Sequence, residues 1–323
     1  VITADGVGEW VTTSILRGTP DGIEPVEEIR FPHSLGLLYS AFTAFCGFEV
    51  NDGEYKLMGL APYGEPVHES LIRDHLIDLR ADGSFRMNLD FFDYCTGLRM
   101  TNLRFARLFG GPPRPADAPL TRREMDLAAS VQKVLTDAML GLAGRAAKTT
   151  GSRNLCLAGG VALNCAANGV IKRSGLFDDI WIQPAAGDAG GALGAALLGW
   201  QACKGSSETV LPDGDAMRGA ALGPSFSEDS MESALREAGL PFERLKREAL
   251  VARCAELLDR GATMGWFQGR MEFGPRALGN RSILADPRRP GMQSDLNLRI
   301  KFRESFRPLA PAVLAEDAAG WFD

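Results

Sequence analysis

The residues best suited to chemistry fall into two settings. The first is a run of cations. From Arg270 to Arg307 stand nine basic residues (Arg270, Arg276, Arg281, Arg288, Arg289, Arg299, Lys301, Arg303, Arg307) against four acidic ones (Glu272, Asp286, Asp295, Glu304). Glycines and prolines break the run, so it reads as loops. Arginine forks take phosphate or carboxylate oxygens in pairs, and lysine adds a point charge. Arg276 and Arg281 of "MEFGPRALGNRS", with Lys301 and Arg307 of "KFRESFRPLAPAVL", therefore read as an oxyanion pocket. A solvated charged face is the plainer alternative.

The second setting is glycine turns beside short strands. "LAGGVALNCAANG" places Gly159 and Gly160 between a buried strand and a helix. Glycines there let backbone approach a ligand, and a helix start offers unpaired N–H groups. Asn164, in the first helical turn, could meet a ribose or base; a simple tight turn is the other reading. "AAGDAGGALGAAL" repeats the pattern one strand later around Asp188, a lone carboxylate that either caps the helix or holds something positive. "DGVGE" sets Asp5 and Glu9 at a hairpin turn, for which an ordinary Asp-Gly turn suffices. Three acidic residues on glycine-lined turns would also fit the phosphate and metal cleft of a duplicated α/β ATPase. The three histidines, His33, His68 and His75, are not spaced i, i+4. A metal would thus need carboxylates or donors from outside this chain. His33 reads as a cap or loop residue.

The elements that must position these groups alternate. A strand over 1–5 and a second over "WVTTSILRG" read as a hairpin, and 34–47 as a buried helix. "GEYKLMGLAPYG" reads as loop, and 66–120 is weakly patterned. Residues 121–149 give the clearest helix, opened by the capping box Thr121/Glu124. "NLCLAGG" is a strand, "VALNCAANGVIKRSG" a helix, "DIWIQP" a strand, "AAGDAGGALG" a turn and "ALGAALLGW" a helix. This rhythm predicts an α/β layer with a parallel sheet. Residues 205–230 read as a connection. Two further helices, over "SMESALREAGL" and "REALVARCAELLDRG", lead into the strand "ATMGWFQG". A last strand is expected after Arg307, since Pro308 and Pro311 exclude a long helix.

The bulk numbers narrow the function classes. The chain has 323 residues, 45% hydrophobic and 24% charged, with 41 Asp+Glu against 35 Lys+Arg. This length suits two domains, and the net charge of −6 argues against a nucleic-acid surface. Lack of a long apolar run and of a signal peptide predicts no membrane partner and a cytoplasmic location. The six cysteines show no metal spacing and are expected to be buried free thiols. The chain opens on "VITADGVGEW" and stops at "AEDAAGWFD", and reads as a piece of a longer polypeptide cut at both ends. Oligomeric state is not legible.

Six collinear motifs, "SLGLLYSAFTAFCGF", "GEYKLMGLAPYG", "LAGGVALNCAANG", "GDAGGALGAAL", "MEFGPRALGNRSILADPR" and "KFRESFRPLAPAVL", resemble the NodU/CmcH-type O-carbamoyltransferases, which modify antibiotics and Nod factors. The resemblance implies an α/β fold. Residues 1–205 would be an actin/sugar-kinase-like ATPase-type transferase domain and 206–228 a linker. Residues 229–323 would open an α/β domain similar to the threonylcarbamoyl-adenylate synthases. It implies two steps: carbamoyl phosphate and ATP form carbamoyl-adenylate with release of pyrophosphate, and the carbamoyl group then passes to a hydroxyl of a small-molecule acceptor. By motif position Arg276, Arg281, Lys301 and Arg307 would hold carbamoyl phosphate and the ATP phosphates, Arg276 and Lys301 acting in catalysis. Gly159, Gly160, Asn164, Glu9 and Lys56 would surround the adenylate. Asp5 and Asp188 would bind a divalent metal, Fe(II) in relatives, with Mg2+ accompanying ATP. Two departures stand out. The family's upstream HxxxH metal motif is absent, and its remaining phosphate-binding residues would lie past residue 323. Two alternatives stay open: another ATPase or small-molecule kinase of the actin-like class, and a non-catalytic remnant.

Overall fold

The computed structural model describes residues 1–19, 21–204 and 215–322. It divides into two compact units, Val1–Leu211 and Pro212–Asp323. The opening of the expected linker, 206–214, lies outside the described residues.

Unit 1 is built on a mixed five-stranded sheet. Its strands are β1 (Ile2–Ala4), β2 (Val11–Thr19), β3 (Gly22–Arg30), β6 (Asn154–Ala158) and β7 (Asp179–Ile182), in the order β3-β2-β1-β6-β7. β1 pairs antiparallel with β2 (Ile2 opposite Ile15) and parallel with β6, which pairs parallel with β7. The hairpin and the parallel layer thus form as the alternation predicts. Two short strands, β4 (Ile77–Leu79) and β5 (Phe85–Met87), make a separate ribbon.

The helices follow from apolar periodicity and caps. α1 (Leu35–Phe45) starts at Ser34, whose Oγ accepts from Leu37 N at 3.0 Å. α2 (Glu54–Leu60) replaces the loop expected over "GEYKLMGLAPYG". Leu57 and Leu60 are fully buried there, and a Cβ on Gly53 would lie 2.5 Å from Phe48 Cβ, so these glycines serve close packing rather than a turn. α3 (Glu69–Leu71) is one turn, and α4 (Leu103–Leu108) brings Phe105 edge-to-face with Phe42 and Phe45 and tilted against Phe109. α5 (Arg122–Thr150) carries the predicted capping box and ends at left-handed Gly151. Its stripe of Leu127, Val131, Val134, Leu135, Met139 and Leu142 is buried against the sheet, α1 and α2. Each such side chain contributes about 1.5–3 kcal/mol of transfer free energy.

α6 (Cys165–Arg173) and α7 (Asp188–Lys204) follow β6 and β7. Asp188 opens α7, so of the glycine-rich stretch expected as a turn only 185–187 form one, and 188–194 are already helical.

Unit 2 contains α8 (Glu228–Glu237), α9 (Arg247–Asp259), the antiparallel pair β8 (Met264–Phe267) and β9 (Arg281–Leu284), α10 (Met292–Asp295) and α11 (Ala318–Trp321). The strand expected after Arg307 does not form; 308–314 carries no regular structure. Pro308 and Pro311 cannot donate to a ladder, and no described strand pairs there. The cysteines also differ from expectation: only Cys46 is buried, Cys254 is intermediate, and Cys95, Cys156, Cys165 and Cys203 are exposed. Cys156 lies on the outward face of β6, which alternates exposed and buried.

Candidate functional site

The parallel strands β1, β6 and β7 end at the same edge, where open α/β sheets form ligand crevices. Asp5 follows β1, Gly159 and Gly160 follow β6, and Asp188 follows β7. Gly159 has φ +90, and a Cβ on it would overlap the Ala4 carbonyl oxygen. A Cβ on Gly160 would stand 3.3 Å from Asp5 Oδ1, and one on Gly36 2.6 Å from Asp5 O. Asp5 therefore sits among glycine backbones, as only residues without a side chain allow. Its Oδ1 accepts from Gly6 N at 2.7 Å, and its carbonyl accepts from Ser34 Oγ at 2.9 Å. Gly159 N donates to Ala186 O at 2.8 Å, joining the turns after β6 and β7. That N–H is already paired, so Gly159 shapes the crevice through its conformation.

Asn164 caps α6 from inside the protein. It is 7% exposed. Its Oδ1 accepts from Ala167 N and Gln132 Nε2, each at 3.0 Å, and its Nδ2 donates to Gln132 Oε1 at 3.0 Å. Tyr39 Oη donates to the same Gln132 Oε1 at 2.8 Å. Burial pushes the Tyr39 phenol well above its ordinary pKa. This triad ties α1, α5 and the start of α6 together. Asn164 thus supports the crevice floor, rather than presenting the open amide expected for a base or ribose. Asn168, one turn on, donates to Ala162 O at 2.7 Å and leaves Oδ1 without a partner.

Glu9 and Trp10 occupy the β1–β2 turn with φ 47 and 85, and Trp10 packs edge-on against Phe31 at 5.4 Å. Two consecutive non-glycine residues in the left-handed region are a strained turn. Lys56, on α2, pairs with Asp52 at 3.1 Å. His33 takes the loop role expected of it: Nδ1 accepts from Met87 N at 3.1 Å.

Asp5 and Asp188 supply two carboxylates at this edge. Among the described residues no group of three or more His, Cys, Asp or Glu side chains could hold a metal ion. Two carboxylates alone do not make a coordination shell, so this chain's described residues do not fit a metal.

In unit 2 the basic run splits into two pinned loops. The first, 268–280, joins β8 to β9. Its organiser is Glu272, a buried carboxylate that sequence reading counted only as a charge. Glu272 Oε1 accepts from the N–H groups of Leu278 (2.8 Å), Asn280 (2.7 Å) and Arg281 (3.3 Å). Burial opposes its ionisation, yet these donors outweigh burial and hold the carboxyl below its ordinary range. The second loop, 301–307, hangs on Asn297, which is fully buried. Its Nδ2 donates to Arg307 O at 2.8 Å and Ser305 O at 3.2 Å, and its Oδ1 accepts from Arg303 Nε at 2.7 Å. A polar residue flanked by leucines in "DLNLRI" was the available signal for Asn297.

Much of the positive charge is balanced internally. Arg288 pairs with Asp259 and Asp286, and Arg299 with Asp295. Arg307 is buried, with Nε donating to Glu304 at 2.8 Å, and so braces its loop. Arg276, Arg281 and Lys301 are exposed. Desolvation first, and neighbouring Arg303 second, lower the Lys301 pKa from its ordinary value. The structure thus separates exposed cations, which can meet an anion from solvent, from the buried brace Arg307.

Among the described residues no helix is long and apolar enough to cross a membrane. Residues 1–197 match the family model described as carbamoyltransferase N-terminus, and 255–323 the one described as carbamoyltransferase C-terminus. The uncharacterized protein sll1178 of Synechocystis is 55% identical over 325 residues, covering 100% of this chain and 53% of that protein. Nodulation protein NolO of Bradyrhizobium diazoefficiens is 38% identical over 327 residues, covering 100% of this chain and 56% of its own length. Nodulation protein NolNO of Sinorhizobium fredii is 38% identical over 324 residues, covering 100% and 45%. The chain spans about half the length of the curated relatives it matches. With both halves matched in order, the chain belongs to the carbamoyltransferase family.

Proposed function

We propose that the protein is an O-carbamoyltransferase acting in two steps. Carbamoyl phosphate, ATP and water give carbamoyl-adenylate, pyrophosphate and phosphate. The hydroxyl of a small-molecule acceptor then attacks the carbamoyl carbon, and AMP leaves. The observation that carries this reading is the match of one chain to both halves of the family.

Each unit offers support of its own kind. The order β3-β2-β1-β6-β7, with β2 antiparallel, supports an actin-type transferase domain over 1–205. Its crevice, at Asp5, Gly159 and Gly160, suits the adenylate. Residues 229–323 supply the adenylate-forming chemistry. There Arg276, Arg281 and Lys301 neutralise phosphate charge so that one anionic oxygen can attack another phosphorus, and Arg307 holds their scaffold. A kinase of the same class would have no use for this second cationic unit.

The test incubates full-length protein with carbamoyl phosphate, ATP and labelled pyrophosphate. Label should enter ATP only when carbamoyl phosphate is present. Arg276→Ala or Lys301→Ala should lower exchange about 10²–10³-fold, as for loss of a charge-stabilising donor. Asp188→Ala, at the sheet edge assigned to the adenylate, should spare exchange and lower transfer to the acceptor. Absence of exchange in the unmodified protein removes the adenylate reading.

A further inference from the structure

In unit 1 the turn between β4 and β5 leans on the C-terminal half of α5 and leaves a groove beside it. A Cβ on Gly83 would overlap Leu142 N, and one on Gly141 would lie 2.7 Å from Gly83 Cα, so the two backbones meet there. The groove encloses about 650 Å³, within the range of small-molecule sites. Arg73, Arg80, Arg145 and Lys148 line it, with Asp82 and Asp137. It lies apart from the crevice: along α5, Lys148 is roughly 24 Å from Gln132, the residue that braces Asn164. Both acids are already engaged. Asp137 accepts from Arg73 and Lys133, and Asp82 faces Arg145 at 3.7 Å. Glu69 holds Arg73 at 2.9 Å and Glu27 holds Arg145 at 2.8 Å, so both guanidiniums are fixed in advance. Among the described residues, the Nη1 of each makes no hydrogen bond. Arg80 is exposed, and its carboxylate partner Asp78 stands 3.8 Å away. Lys148 is exposed and forms no ion pair among the described residues. The floor adds a separate sign. Gly144 lies well inside α5, where glycine weakens a helix. A Cβ there would meet nothing within 4 Å, so packing inside the chain does not call for glycine. Its bare backbone keeps the floor of the groove open.

We propose that this groove binds an organic phosphate. Arg80, Lys148 and the open edge of Arg145 take the phosphate oxygens, and Leu79, Leu140 and the bare backbone at Gly144 take the carbon part. Guanidinium forks and an ammonium point charge suit a phosphate dianion. Arginines already fixed by carboxylates lose little freedom on binding, which favours a ligand that arrives from solvent. The site does not depend on the two-step reading of the reaction, since none of its residues belongs to the crevice or to unit 2.

The experiment is calorimetric titration of the full-length protein with phenyl phosphate, inorganic phosphate and phenol. It is run with Arg276→Ala and Arg281→Ala in place, so that those two cations of unit 2 take no part. Phenyl phosphate should bind more tightly than either of its parts. Gly144→Leu fills the floor with a better helix former, so the unfolding temperature should hold or rise while phenyl phosphate affinity falls about tenfold or more. Arg80→Glu together with Lys148→Glu, both at exposed positions, should cost at least as much affinity. No binding of phenyl phosphate, or an affinity unchanged in Gly144→Leu or in the charge-reversed pair, overturns the site and leaves the reading of the reaction as it was.

Discussion

The two candidate regions are built by opposite means. The crevice of unit 1 is made of main chain: glycines against strand ends, a serine cap and a buried amide triad, with few charges. The basic region of unit 2 is made of side-chain charge, with exposed cations on two loops, each held by one buried polar residue. The contrast extends to the core. Unit 1 buries long rows of apolar side chains on α1, α2 and α5, whereas among the described residues of unit 2 the buried apolar ones are Ala220, Met292 and Leu296. The first region holds its shape through packing. The second depends on hydrogen bonds to Glu272 and Asn297. Shape should therefore fail first in unit 1 when a methyl group is added, and charge should fail first in unit 2 when a proton is added.

The largest effect expected from this contrast is at Gly159. Gly159→Ala needs a Cβ where Ala4 O stands and a left-handed backbone, so it should cost about 3–5 kcal/mol by denaturant unfolding. A loss below about 1 kcal/mol would mean that the end of β6 can move, and the packed-crevice account would fail. Next is Asn164→Ala, which removes the α6 cap and strands Gln132. It should cost about 1.5–3 kcal/mol, against little change for a substitution at exposed Glu9.

In unit 2 the test is acid. Glu272 has its folded pKa below its ordinary 4.5, so its contribution to stability is present above pH 4.5. That contribution should fade as pH drops through the folded value. The stability gap between the unmodified protein and Glu272→Gln should therefore shrink on acidification. A gap that widens would reverse the assigned sign. The smallest stability effect is expected at Arg281, whose side chain is exposed at the start of β9. Arg281→Ala should change stability by no more than about 0.5 kcal/mol while weakening phosphate binding about tenfold or more. A large stability loss there would make it a brace like Arg307.

Legibility in the sequence follows the same division. Elements with strong local signals, the α5 capping box, the parallel strands β6 and β7 and the β1–β2 hairpin, are where the pattern put them, though β6 and β7 are exposed on one face. The cation loops were visible as charge. What stayed hidden depends on partners far along the chain. Asn164 gave no sign that Gln132 would meet it across 32 positions. Glu272 looked like a counter-charge until its loop folded back over it. Arg307 looked like its exposed neighbours until Glu304 and burial set it apart. The α2 segment misled because its glycines, normally breakers, fill places too tight for any side chain.

The hydrogen bond from Gly159 to the Ala186 carbonyl has a wider consequence. Both partners are main-chain atoms, and Ala186 is itself buried, so the lip depends on a small side chain there and not on any polar one. Exposed residues near that edge are not part of this bond, so their substitution leaves the lip's outline in place. A scaffold of this kind keeps its outline while exposed residues around it change.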